Sequence, residues 1–181
     1  MKSLKFASAT PKGFPLVADG ITELHASRIL LLLKRCGTGG KIDGLTKLAK
    51  LDFFVRYPDF FDQMSKYIGS ELKSHSTGVE SAMVRHHYGP WDKRYYQVLT
   101  YLKAKALISI LKDGSTYRFT LTALGKDAAS QLESSDEFSD LVGQMQRVKS
   151  LLGAKTGSAI KTLIYKAFDE EVAKKAMGDL I

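Results

Sequence analysis

The sequence predicts a mainly α-helical fold carrying one small β-hairpin, and three observations predict it. Apolar residues recur at helical spacing over most of the chain, a single Asp113-Gly114 pair separates two short alternating runs, and helical patterns flank that pair on both sides. The composition suits a packed core: with 44% hydrophobic and 25% charged residues, and only 4 Pro and 15 Gly in 181 residues, little room is left for a long disordered tract.

Residues 1–20 mix Lys, Pro, Gly and single apolar residues without periodicity and read as an N-terminal arm. Between Ile21 and Cys36, Leu24, Ile29, Leu32, Leu33 and Cys36 fall near helical spacing. Leu30 and Leu31 widen the stripe until this helix is apolar most of the way round, which predicts a central position. Gly37, Gly39 and Gly40 stop it. The segment GTGGK superficially resembles a phosphate-cradling loop, but it lacks the required spacing and follows a helix rather than a strand, so a helix-ending turn is the better reading.

Asp43 is suited to cap a second helix that turns Leu45, Leu48, Leu51 and Val55 inward and Lys47, Lys50, Asp52 and Arg56 to water. Asp52 and Arg56, four apart, are spaced to pair. Pro58 fits the first turn of a third helix, with Phe60, Phe61, Met64, Tyr67 and Ile68 as its apolar face. Residues 69–81 are polar and periodless and read as a loop or insertion.

The stretch 82–126 carries most of the information. Gly89 and Pro90 announce a helix start, after which Trp91, Tyr95, Val98, Leu102 and Ala106 can line one buried stripe. Lys93, Arg94, Tyr96, Gln97, Thr100, Tyr101 and Lys103 are left on the opposite side. Ile108 and Ile110, then Tyr117, Phe119 and Leu121, alternate with the period of a two-stranded ribbon around the Asp113-Gly114 turn. A helix capped by Thr122 follows. Helix, hairpin, helix in this order predicts a winged helix-turn-helix core, with the hairpin as its wing.

Beyond Gln131, Ser134 and Glu137 have capping-box spacing before a helix bearing Phe138, Leu141, Val142, Met145, Val148, Leu151 and Leu152. Gly153 to Gly157 break it, and Ile160, Leu163, Ile164 and Phe168 continue on a short helix running toward Ile181. The expected organisation is therefore an arm (1–20), a winged-helix domain (21–132, with an insertion at about 69–81) and a C-terminal helical extension (133–181). That much appended apolar helix must be buried by the chain's own core, a second copy or another subunit.

Charge narrows the function. The net charge is +8, and residues 82–126, a quarter of the chain, hold 8 basic against 2 acidic residues. Such a cluster points to a polyanionic partner, although a basic face can also be solvated or meet an acidic protein. The longest aliphatic run, Ile29 to Leu33, is far short of a membrane span, and the first residues lack a signal-peptide core. With one cysteine, Cys36, no internal disulfide can form, and a reducing cytoplasmic location is expected.

No catalytic set is visible. His25, His75, His86 and His87 lack metal-ligand spacing, the serines lack a G-x-S-x-G setting, and Cys36 reads as a packing thiol. The expectation is a non-enzyme without cofactor or small-molecule substrate. If the basic helix enters a major groove, Arg94 can present a fork to guanine and Gln97 suits adenine, while Lys93, Tyr96 and Lys103 reach phosphates. Arg118 and Lys112 on the hairpin, and Arg85 ahead of the helix, complete the expected DNA-contacting set. Trp91, Leu141, Met145, Val148, Leu152 and Phe168 are the expected partner-binding residues.

The segments HASRILLLLKR, GLTKLAKLDFFVRYP, AMVRHHYGPWDKRYYQVLTYLKAKALI, LTALGK and GSAIKTLIYKAFDEEV, spread over Leu24 to Val172, resemble the small middle component of bacterial three-component systems. Those systems are built around an SMC-like ABC ATPase, as in the Lamassu class of anti-phage defence. Tyr88 to Asp92 and Lys50 to Phe54 are the most specific pieces of the resemblance. It implies an accessory winged-helix subunit bridging the ATPase and an effector, often a nuclease, in a complex that senses foreign or aberrant double-stranded DNA, with no catalytic residue to transfer. The alternative, from the residues themselves, is a free-standing transcriptional regulator, homodimeric through its C-terminal helices.

Overall fold

The helix expected to be central is central. In the computed structural model, which describes residues 20–75, 83–86, 89–168, 176 and 179–180, α1 (Thr22–Cys36) keeps Ile29, Leu31, Leu32 and Leu33 at 1% exposure or less. Leu24 is the exception to its predicted inward face and is 41% exposed. Gly39 and Gly40, both with positive φ, return the chain into a short strand, β1 (Lys41–Asp43), which no sequence pattern announced.

The second helix, α2 (Leu45–Arg56), is more deeply enclosed than its pattern predicts. Gly44, at φ +90°, is its N-cap, and Asp43 instead stays in β1, where its carboxylate accepts from Arg118 Nε at 2.6 Å. Lys50, Asp52 and Arg56, expected on a wet face, are buried. The reason is tertiary: further helices and a hairpin cover every side of α2, so its polar groups must find partners inside. The expected Asp52–Arg56 pair accordingly gives way to longer-range partners, described below.

Pro58 opens α3 (Pro58–Tyr67), which buries Phe61 and Met64 and leaves Tyr67 exposed. Of the expected insertion, 76–81 lie outside the described residues. Then comes a second departure: β2 (Val84–His86) pairs antiparallel with β3 (Gly89–Trp91), so Gly89 and Pro90 end in a strand and not in a helix start. Helix α4 (Tyr95–Ala104) begins later, yet its dry stripe is the predicted one, with Trp91, Tyr95, Val98 and Leu102 buried. Ala106 falls outside the stripe; it is exposed at φ 56° in the turn that ends α4.

The expected hairpin forms from β4 (Ile108–Asp113) and β5 (Thr116–Leu121), but its turn lies one residue later than the Asp113-Gly114 pair predicted, since Asp113 pairs with Thr116 in the ladder. Its turn residues are Gly114 and Ser115, with positive φ at Gly114, the position where a II′ turn requires it. Strand β1 adds to the other edge of β5, giving an antiparallel sheet of order β1-β5-β4. Thr122 caps α5 (Ala123–Glu133) by accepting from the Gly125 amide at 3.0 Å. A Cβ on Gly125 would collide with the Leu107 carbonyl, so glycine lets α5 pack onto the chain entering β4.

The predicted capping box does not form. Ser134 Oγ donates back to Gln131 O, a 3₁₀ turn (Asp136–Phe138) intervenes, and α6 (Ser139–Leu152) starts beyond it, while Ser135 is the serine that reaches Glu137. Helix α7 (Gly157–Ala167), capped by Thr156, closes the described fold; 169–175, 177–178 and 181 lie outside the described residues. Both helices pack on α2, and α6 also packs on α1. The molecule is thus mainly helical with a small three-stranded antiparallel sheet and a separate β2–β3 hairpin.

Candidate nucleic-acid interface

Helix α4 presents one face to the core and the other to water. Tyr95, Val98, Leu99 and Leu102 hold the inner side. On the outer side, Tyr96, Gln97, Thr100 and Lys103 are exposed, Tyr96 at 63%, and Lys93 is exposed in the turn leading into the helix. Gln97 Nε2 lies 3.5 Å from Thr22 Oγ1 at the start of α1. Between Lys93 and Lys112 the chain has five basic residues and no acidic one. On the hairpin, Lys112, Leu111 and Tyr117 are exposed as well.

Two of the predicted DNA contacts are otherwise engaged. The Arg94 guanidinium donates to both oxygens of Asp92, Nε to Oδ1 at 2.9 Å and Nη2 to Oδ2 at 2.8 Å, and its Nη1 lies 3.0 Å from His25 Nε2. A fork that grips a carboxylate bidentately cannot also grip a guanine edge. Arg118 is tied on the sheet surface to Asp43 and, at 3.1 Å, to Asp113. Its hydrogen bond lowers the Asp43 pKa, and the same bond raises its own. Arg85 sits in β2 opposite Pro90, and its side chain lies outside the described residues.

Behind α4 runs a polar network that no local pattern disclosed. Arg28 donates to Asp52 through Nε at 2.8 Å, and the Tyr95 hydroxyl donates to the same carboxylate at 2.7 Å. Arg28 Nη1 lies 3.1 Å from His25 Nδ1, so the imidazole of His25 stands between Arg28 and Arg94. Asp92 also accepts from Arg56 at 2.7 Å and from the Arg94 amide at 2.9 Å. Burial opposes the charged form of Asp92, but the hydrogen bonds from Arg94 and the charges of Arg56 and Arg94 outweigh it and hold the carboxyl well below the usual range. Burial, reinforced by Asp52, pushes the Tyr95 phenol well above its ordinary pKa and keeps it a neutral donor.

Lys50 makes a further tie, donating to the Pro90 carbonyl at 2.7 Å from a fully buried position. Burial, with Lys161 nearby, brings its pKa down to about 7. Together these contacts fix the β2–β3 hairpin and the first turn of α4 against α1 and α2. The network is a frame for the exposed face.

The expected partner-binding residues are corrected by their burial. Trp91 is 6% exposed and packs edge-on against Tyr95, while Met145, Val148, Leu152 and Phe168 are at 1% or less. The apolar stripe of α6 and the end of α7 are covered by α1, α2 and α3, which leaves those side chains no surface to offer. Leu141 alone of that set is half-buried. Cys36 is buried with its thiol directed at the Met145 carbonyl, and burial raises its pKa to about 12.

Comparison with family models, curated proteins and solved structures returned no match to this chain. Among the described residues, no group of three His, Cys, Asp or Glu side chains is arranged to hold a metal ion, and no helix is long and apolar enough to cross a membrane.

Proposed function

We propose that this protein is a non-catalytic winged-helix adaptor that contacts double-stranded DNA and bridges an SMC-like ATPase to an effector subunit of an anti-phage complex, the role implied by the Lamassu-type resemblance. The observation that carries the DNA-contacting part is the outer face of α4, where Tyr96, Gln97 and Lys103 stand exposed on a helix whose inner face is locked into the core, with Lys93 exposed in the turn just before it. Support for the winged-helix reading comes from element order: helix, short strand, helix, then α4 and a hairpin, with sheet order β1-β5-β4. On that reading, α3 and the β2–β3 hairpin are inserted ahead of the recognition helix.

With Met145, Val148 and Leu152 buried, the α6 stripe is core under either reading, and a homodimer or an ATPase partner must be seated elsewhere on the chain. Fluorescence anisotropy with a labelled DNA duplex across a salt series tests the DNA contact, and co-purification of a tagged chain from its native host tests the ATPase partner. A chain that binds duplex only weakly and without salt dependence, or that purifies with no large ATPase, overturns the corresponding half.

A further inference from the structure

We infer that the apolar groove between α1, α4, α5 and the 3₁₀ turn is the docking site for a cationic amphipathic helix of a partner protein. The inference rests on the adaptor reading and names a surface for it. The groove has a volume of about 400 Å³ and opens to solvent. The half-buried Leu107 after α4, Ala128 and Leu132 from α5 and Phe138 of the 3₁₀ turn form its apolar walls, over a floor of the buried Ala26, Leu30 and Leu102. Leu124, four residues before Ala128 and so on the same side of α5, extends the strip and is 55% exposed. A concave apolar strip with exposed leucine beside it suits a helix that inserts anchors at i, i+3/i+4 and i+7.

Charge decides the occupant. Glu23 is the charged residue lining the groove, and on the two elements that border it, α5 and the 3₁₀ turn, Asp127, Asp136 and Glu137 are exposed against one exposed lysine, Lys126. From Asp127 to Gln146 the chain has five acidic residues and no basic one. Of these, Glu133 is engaged by Lys34 and Arg35. Lys105, on the α4 side, is held over the Tyr101 ring at 5.7 Å. A second copy docked about a two-fold axis through this face would set one acidic rim against the other, and an anionic helix would meet Glu23. A helix with apolar anchors and flanking Lys or Arg satisfies both the walls and the rim.

The test uses the full chain and three labelled synthetic peptides: an amphipathic leucine–lysine helix, its leucine–glutamate counterpart, and a scrambled leucine–lysine sequence without an apolar face. The leucine–lysine helix should bind by anisotropy, and both other peptides should bind at least about tenfold more weakly. Gln131→Arg, at an exposed groove position, and Ala128→Trp, which fills the groove, should each weaken binding by about tenfold. Equal binding of the scrambled peptide, tighter binding of the glutamate peptide, or unchanged binding in both variants overturns the inference. A stable homodimer dissociated by Gln131→Arg overturns it too, in favour of a second copy. Duplex binding measured on the same samples separates the readings: if it persists while the peptide fails, only the docking inference falls.

Discussion

Asp92 accepts from Arg94 through both carboxylate oxygens, two residues away in the chain, and through Oδ2 it also accepts from Arg56 on α2. One buried carboxylate thereby holds two guanidiniums and joins the first turn of α4 to the centre of the molecule. The pairing turns an arginine that sequence pattern assigns to DNA into a structural one.

Asp92→Ala should therefore be among the most damaging substitutions in the chain. Removing one partner of a buried ion pair strands the other charge and costs about 3–5 kcal/mol. Urea unfolding should show that loss, whereas Lys93→Ala at the neighbouring exposed position should stay within about 0.5 kcal/mol. The same carboxylate sets an acid limb. Its folded pKa lies below the unfolded value of about 3.8, so its contribution is complete above that value and is lost as pH falls through the folded pKa. The wild type should lose more stability on acidification than Asp92→Asn.

Lys50 should act in the opposite pH range. Its folded pKa of about 7 lies below the ordinary value of 10.5, so between those limits the unfolded chain binds more protons and stability rises with pH. Thermal or urea unfolding of the wild type should show this rise between about pH 7.5 and 9, and Lys50→Met should flatten it. Parallel pH profiles for the two proteins would show that the buried amine stays charged.

The DNA reading predicts a charge-specific effect. The triple variant Lys93→Ala, Lys103→Ala, Lys112→Ala should fold normally, bind duplex more weakly, and flatten the logarithmic salt slope by about 0.9 for each phosphate that a lysine no longer neutralises. An unchanged slope removes this face from the interface. Arg94→Ala should differ in kind, lowering the melting temperature while leaving the salt slope of duplex binding unchanged, because it strips two hydrogen bonds from Asp92 and no phosphate contact.

Gly125→Ala tests the junction between hairpin and α5. Its added methyl would meet backbone, the Leu107 carbonyl, which cannot swing aside as a side chain can. A destabilisation of about 1–3 kcal/mol or more is expected by calorimetry. Leu102→Ala, at a fully buried position on α4, should cost about 2–5 kcal/mol.

The sequence by itself determined the features written within a few turns of chain. The broad apolar stripe of α1, the Tyr95–Val98–Leu102 stripe, the hairpin about Gly114, the Thr122 cap and the outward side of α4 were legible because helical and strand periods and turn chemistry are local. Only the tertiary structure decided the rest. Whether Lys50, Asp52 and Arg56 face water depends on what packs over α2, and the segments that do so come from both sides of it in the chain, α1 before and β3, α6 and α7 well after. The surplus of apolar helix after Gln131 went the same way: α1, α2 and α3 cover it, so no outside partner is required. Arg94 follows the same logic. A basic residue beside a helix start looks free in sequence, but burial of a carboxylate two residues earlier compels it to pair, since an unpaired charge in the interior costs far more than a solvated one.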